Sequence, residues 1–154
     1  MQPRLQERTV TAMVKQISVF LENKEGRLAE VTEALADSGI NIRALSIADT
    51  TDFGILRIIV NDPHKAYGVL QDAGFAVSVK DVLAIAINDT PGALSKVLAE
   101  LSRGGVPIEY MYAFLGKAGD KAMVILKVPD SEKAEKILAK TDVPAMSAEA
   151  LYNL

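Results

Sequence analysis

The 154-residue sequence has no cysteine and a single histidine. Without cysteine there is no disulfide, no thiol nucleophile and no thiolate ligand for zinc. A lone His64 cannot build a histidine cluster, and it falls in the first turn of what reads as an exposed surface helix. No nucleophile–base set is recognisable, and Glu22 and Glu25 show no catalytic pairing. The chain is therefore not expected to be an enzyme, and no cofactor or metal is expected. Basic residues do not predominate either: 17 Lys and Arg stand against 20 Asp and Glu, a net charge of −3. A nucleic-acid surface needs a basic patch against phosphates, so no nucleic-acid partner is expected. No apolar run approaches the ~18 residues of a membrane span, so no membrane partner is expected. The first residues, "MQPRLQERTVTAM", lack the apolar centre of a signal peptide, and the expected compartment is the cytoplasm.

What is present is the composition of a globular domain, 49% hydrophobic and 24% charged. The length suits one domain or two small ones. Two stretches share one plan: "ENKEGRLAEVTEALADSGINIRA" from Glu22 to Ala44, and "NDTPGALSKVLAELSRGGVPIEY" from Asn88 to Tyr110. Gly26 matches Gly92, Leu28 matches Leu94, Val31 matches Val97, Leu35 matches Leu101, Gly39 matches Gly105 and Ile42 matches Ile108, all at an offset of 66. Val60 and Val128, Asp62 and Asp130, and Leu70 and Leu138 then match at an offset of 68. The two-residue change falls in a turn, where insertions cost least. A register kept this long marks an internal duplication.

Each copy reads βαββαβ. "KQISVFL" and "VLAIAIN" are first strands, rich in apolar and β-branched residues. Leu94, Val97, Leu98 and Leu101 give one apolar face to the helix that follows, as Leu28, Val31 and Leu35 do in the first copy. Gly39 and Gly105 suit the left-handed residue that ends a helix. "INIRALSIA" and "PIEYMYAFL" are second strands, "DTTDFG" and "GKAGDK" hairpin turns, "ILRIIV" and "AMVILKV" third strands. Asp62 and Asp130 are N-caps of second helices, with Pro63 at the first helical position. "FAVSVK" is the fourth strand of copy one; a weaker one is expected around Val143–Met146 in copy two, then a short helix in "SAEALYNL". The fold class is α+β: two ferredoxin-like modules, each an antiparallel four-stranded sheet with both helices on one face. Residues 1–14 read as a leader that is disordered or additional to the fold, 15–80 as the first module and 81–154 as the second. Only Lys80-Asp81 separates the two, so the modules are expected to be rigidly placed and to pack together.

On the two quoted stretches, the sequence resembles the ACT domain family over about residues 15–145, in tandem. They follow that family's strand–[D/N]-x-x-G-x-L-helix–G-[I/V]-[N/P]-I pattern. The resemblance implies a non-catalytic module that binds an amino acid or similar effector at an interface between modules and regulates an enzyme of amino-acid metabolism. A homodimer, a free amino acid effector and possible association with such an enzyme are the partners it implies.

The residues themselves suit that role. A turn entering a helix leaves backbone N–H groups free, and with the helix dipole these hold a carboxylate. Glycine at 26 and 92 leaves room for a ligand. The candidate ligand-binding residues are Asn23, Lys24, Glu25, Gly26, Arg27 and Leu28 in the first copy's loop, and Asp89, Thr90, Pro91, Gly92, Ala93 and Leu94 in the second's. Asn41, Ile42 and Ile108 join them from the second strands, and Leu21 and Ile87 offer further apolar contact. Asn23, Asn41 and Asp89 can accept hydrogen bonds from an ammonium. Asn23 and Asn41 resemble the two effector-contacting asparagines of the serine-sensing domain of phosphoglycerate dehydrogenase; the second copy has Asp89 and Pro107 there, so the pattern is half kept. A single site combining Asn41-Ile42 of one copy with the Asp89–Leu94 loop of the other is the alternative to two equivalent sites.

Structural roles compete with these. Asp89 is equally well a helix cap and Asn41 equally well a local backbone partner. Lys24 and Arg27 read first as solvated charges. Tyr110, Met111, Tyr112 and Phe114 alternate faces of a strand, so at most half line one pocket. "ISVFLENKEGRLAEV" with "GINIRALSIADT" is also similar to the small regulatory subunit of acetohydroxyacid synthase. A ligand-free oligomerisation module is the remaining alternative.

Overall fold

The computed structural model describes residues 13–22, 24–49, 52–115 and 120–153. It forms two compact units, one of Lys15–Lys80 and one of Asp81–Tyr152, the latter joined by Met13 and Val14.

In the first unit the chain runs β1 (Val14–Glu22), α1 (Arg27–Asp37), β2 (Ile42–Asp49), β3 (Phe53–Val60), α2 (Pro63–Asp72) and into β4 (Ala76–Asn88). The strands lie in the order β2-β3-β1-β4. β3 pairs antiparallel with both β1 and β2. Side chains alternate across a strand. Ile17, Val19 and Leu21 of β1 and Leu56, Ile58 and Val60 of β3 therefore share a face. They form one core with Val31 and Leu35 of α1 and Ala66 and Leu70 of α2, so both helices cover the same side. On the other side Phe20 and Phe53 remain 48% and 43% exposed, their rings 4.9 Å apart.

The second unit takes the last part of β4, then α3 (Ala93–Arg103), β5 (Tyr110–Leu115), β6 (Lys121–Lys127), α4 (Ser131–Ala139) and α5 (Ala148–Tyr152). Its strands run β4-β6-β5, all antiparallel. The core repeats the first: Leu83, Ile85, Ile87, Val124 and Leu126 pack with Val97, Leu101, Ala134 and Leu138. Gly39 and Gly105 have φ of 71° and 76°, the left-handed residues expected after α1 and α3.

The structure departs from the sequence reading in three places. β4 is one strand of 13 residues, where two were expected. Lys80-Asp81 contains neither Gly nor Pro, so nothing breaks the extended backbone. The expected strand at Val143–Met146 does not form. Pro144 has no N–H for a ladder, the Val143 N–H donates to Thr141 Oγ1 at 3.0 Å, and Met146 alone reaches β4, through its N–H to the Ala84 carbonyl at 2.7 Å. The second unit is thus βαββαα with one residue bonded where a strand would lie. Third, structure begins ahead of residue 15: Val14 is fully buried and Met13 packs on the second unit's core. Residues 1–12 lie outside the described residues, as do residues 50–51 and 116–119 of the two hairpin turns.

Candidate functional site

The two strand-to-helix junctions adopt the same backbone. Gly26 and Gly92 are the N-cap residues of α1 and α3, with φ of 87° and 88°. Each closes its turn in the same way: Arg27 N–H donates to the Lys24 carbonyl and Ala93 N–H to the Thr90 carbonyl, both at 3.3 Å. A Cβ added at either glycine would meet nothing within 4 Å. The glycine is therefore required by its left-handed φ rather than by a close approach. No side chain caps either helix, so Asp89 is not a cap. The N–H groups of the first turn, at Leu28 and Ala29 and at Leu94 and Ser95, point out of the helix end without intrahelical acceptors. α2 and α4 differ: Asp62 accepts from the Lys65 N–H and Asp130 from the Lys133 N–H, each at 3.1 Å.

Around the first junction, Lys24 pairs with Glu22 at 3.2 Å on an exposed surface. Arg27 is not a solvated charge. Its guanidinium lies 4.6 Å from the centre of the Phe75 ring, a cation–π distance, and donates to Glu30 at 2.6 Å. Its Nε is buried without a partner among the described residues. Glu25 is exposed, and Leu28 is 40% exposed. Asn23 lies outside the described residues.

The second junction opens into a cleft of about 720 Å³, lined by the second unit alone. Thr90, Pro91, Gly92 and Ala93 form one end. Lys96, Val97, Glu100 and Arg103, along one stripe of α3, form a side, with Ile87 beneath. Ile137, Lys140 and the Thr141–Val143 segment close it from α4. Arg103 and Glu100 pair with each other. Among the described residues Lys96 has no carboxylate within ion-pair distance. Asp89, Leu94 and Ile108 are not in the lining: Asp89 is exposed, its N–H donating to the Asp120 carbonyl at 3.1 Å, while Leu94 and Ile108 pack on the core. Sequence reasoning missed Lys96, legible one turn beyond Gly92, and the Lys140–Val143 segment, for which there was no signal.

Asn41 and Ile42 sit far from the loop of their own unit. Glu22 pairs with Phe53 at one end of β3, and Ile42 pairs with Val60 at the other. At ~3.3 Å per residue those ends are about 23 Å apart. One free amino acid cannot touch both the Lys24–Leu28 loop and Asn41 of the same unit. Ile42 packs on the first core. Asn41 is exposed, and its backbone is held on both sides by Asn61: its N–H donates to Asn61 Oδ1 at 2.9 Å, and its carbonyl accepts from the Asn61 N–H at 3.1 Å. Local backbone satisfaction is thus the work of the Asn61 side chain, not of Asn41. His64 is exposed on α2. Met111 packs on the second core, whereas Tyr112 and Phe114 pair with Ile125 and Met123 on the other face, the expected alternation. Among the described residues no group of three or more His, Asp or Glu can hold a metal, and no helix is long and apolar enough to cross a membrane.

A family model described as an ACT domain pair matches residues 12–154. The chain belongs to the ACT domain pair family. Among solved structures, it is similar to a protein from Bacteroides thetaiotaomicron at 49% identity, over 93% of this chain and 98% of that one, with a TM-score of 0.88. It is also similar to the regulatory subunit of aspartate kinase from Thermus thermophilus, in a ligand-free form, at 17% identity over 84% and 94% of the two chains, TM-score 0.64. The regulatory subunit of aspartate kinase from Thermus flavus matches at 19% identity over 82% and 90%, TM-score 0.58. At those two identities the likeness is one of fold. No curated protein matches the chain. The tandem ACT organisation expected from the repeated motifs is met, with ferredoxin-like α+β units.

Proposed function

We propose that this ACT pair is a non-catalytic sensor that binds a free amino acid and thereby regulates an enzyme of amino-acid metabolism. The observation that carries the reading is the uncapped N-terminus of α3 opening into a cleft of about 720 Å³. An α-carboxylate placed at Gly92–Ala93 meets outward N–H groups and the positive end of the helix dipole, with Lys96 one turn away. Ile87 and Val97 give the ligand side chain an apolar floor, and Thr90 at the cleft's end can accept from an ammonium. Regulation then follows only if the ligand binds one conformational state more tightly than another.

Thermal unfolding of the full chain with each proteinogenic amino acid at millimolar concentration tests this. A ligand present at ~100 times its Kd adds about 2.7 kcal/mol to the folded state and raises the midpoint by several degrees. One or a few amino acids are expected to do so, and Gly92→Ala to remove the shift. No shift with any amino acid, together with no small molecule released on denaturation, sinks the proposal.

A further inference from the structure

We infer that the second unit's cleft takes an amino acid whose side chain is itself anionic, and that the first unit fills the corresponding place with its own Arg27. The inference rests on the amino-acid-binding reading above and names the class of ligand. It starts from the two copies compared at the offsets of 66 and 68 that relate them. Among the described residues three cationic side chains line the cleft: Lys96 and Arg103 of α3, and Lys140 at the end of α4. Their counterparts in the first copy are Glu30, Asp37 and Asp72, all acidic. The charge of this surface is therefore inverted between two units that share one fold.

Helix stability accounts for part of the inversion only. Arg103 and Lys140 stand at helix C-termini, where the dipole favours a cation. Arg103 is also neutralised by Glu100. Lys96 is different. It lies near the N-terminus of α3, the end where the dipole favours an acid, as Glu30 is favoured in α1. Neither Lys96 nor Lys140 has a carboxylate within ion-pair distance among the described residues. The cleft thus offers two unpaired ammonium groups, one from each wall.

The first unit shows what occupies this place when the charge is the other way round. Ala93 and Val143 line the cleft from its two ends, and their counterparts are Arg27 and Phe75. Phe75 packs on the first core as Val143 packs on the second. In the first unit these two positions meet: the Arg27 guanidinium lies 4.6 Å from the centre of the Phe75 ring. Glu30, the counterpart of Lys96, accepts from that guanidinium at 2.6 Å, and Arg27 Nε is buried. The first copy therefore supplies its own cation to its own carboxylate. The second copy has lost the filling side chains, keeps about 720 Å³ open, and presents Lys96 where the carboxylate stood. That volume suits a whole small ligand, and the reversed charge suits one with an anionic side group between Lys96 and Lys140.

Titration calorimetry of the full chain tests this with glutamate, aspartate, their amides glutamine and asparagine, and glutarate and succinate, which lack the ammonium. At least one acidic amino acid should bind about five- to tenfold tighter than its amide, as expected of ion pairs open to solvent with two cations. The preference should shrink as salt is added, and one molecule should bind per chain. Lys96→Gln should remove the preference with little change in the ligand-free unfolding midpoint. Ala93→Arg with Lys96→Glu puts the first copy's pair into the second unit and should abolish binding in a chain that still unfolds cooperatively. If the amides bind as tightly as the acids, or if Lys96→Gln leaves the preference intact, the anionic ligand is overturned and the sensor reading stands. Two molecules per chain at similar affinity overturn the filled first unit. Glutarate or succinate binding through Lys96, with no amino acid bound, keeps the anion-accepting cleft and sinks the amino-acid reading. A thermal shift from a neutral amino acid, with none of the acids binding, overturns this inference alone. No binding of any probe or amino acid overturns both.

Discussion

Single positions carry three different physical constraints. Gly92 sits at φ 88° with open space around it, so its constraint is the torsion alone. Gly92→Ala is expected to cost about 1–2 kcal/mol, and Asn, which tolerates the left-handed region, less; urea denaturation of the ligand-free protein reads the difference. Gly104 is the opposite case. Its φ of −79° suits any residue, but an added Cβ would overlap Ile137 Cδ1 where α3 meets α4. Gly104→Ala should cost about 1–3 kcal/mol, and Ile137→Val, which removes that carbon, should recover part of it in the double variant. Glu135 on α4 is held by charge. Burial, and secondarily the charge of Glu132, push its carboxyl above the ordinary range, and its Oε2 is buried with no partner among the described residues. A raised folded-state pKa means that this group's stabilisation is complete below the ordinary Glu value of ~4.3 and is lost as pH rises through the raised value. Glu135→Gln should therefore raise the midpoint at neutral pH and match the unaltered protein below about pH 4. A gain that persists at low pH would point to packing instead.

The four longer helices use two kinds of beginning. α2 and α4 start on Asp62 and Asp130, whose carboxylates accept from the N–H three residues on. α1 and α3 start on glycine with no cap. Removal of a cap costs about 1 kcal/mol. Asp62→Ala and Asp130→Ala are each expected to show that loss in denaturant titrations. Asp89→Ala should fall within about 0.5 kcal/mol, because Asp89 is exposed and caps nothing. A cap-sized loss there would contradict the α3 geometry. The helices that end the second strand–helix link in each copy are thus self-sufficient, whereas those at the two loops leave their N–H groups to another partner.

At the scale of the molecule, the duplication has produced two cores that share no residue among the described ones. Leu70 closes one with α2 and Leu138 the other with α4, both fully buried. Truncating either to alanine is expected to cost about 2–5 kcal/mol. Since the residues belong to separate clusters, the double variant should show the sum to within about 0.5 kcal/mol. Strong non-additivity would mean that the two cores respond to one another. The copies differ where function is proposed: the cleft is lined from the second alone. A duplicated fold keeps its core under one set of packing rules and leaves its loops free to diverge.

The local rules written in the chain were enough for the repeat, the buried helix positions Val31, Leu35, Val97 and Leu101, the left-handed glycines at 39 and 105, and the Asp caps, though Leu28, expected on the same face, stays 40% exposed. Each depends on residues within a turn or two of one another, and period, torsion and capping chemistry are local. With strand order constrained by short connections, those signals reached the ferredoxin-like class. What only the tertiary structure decided joins residues far apart in the chain: Arg27 laid on Phe75, the Lys140–Val143 segment closing a cleft begun at Thr90, and Asn61 bracing Asn41 across 20 positions. It also separated candidates that looked like one site, because a strand's length puts Asn41 at the far end from the Lys24–Leu28 loop. No local pattern encodes such meetings; they follow from how the elements pack once buried apolar faces have set their order.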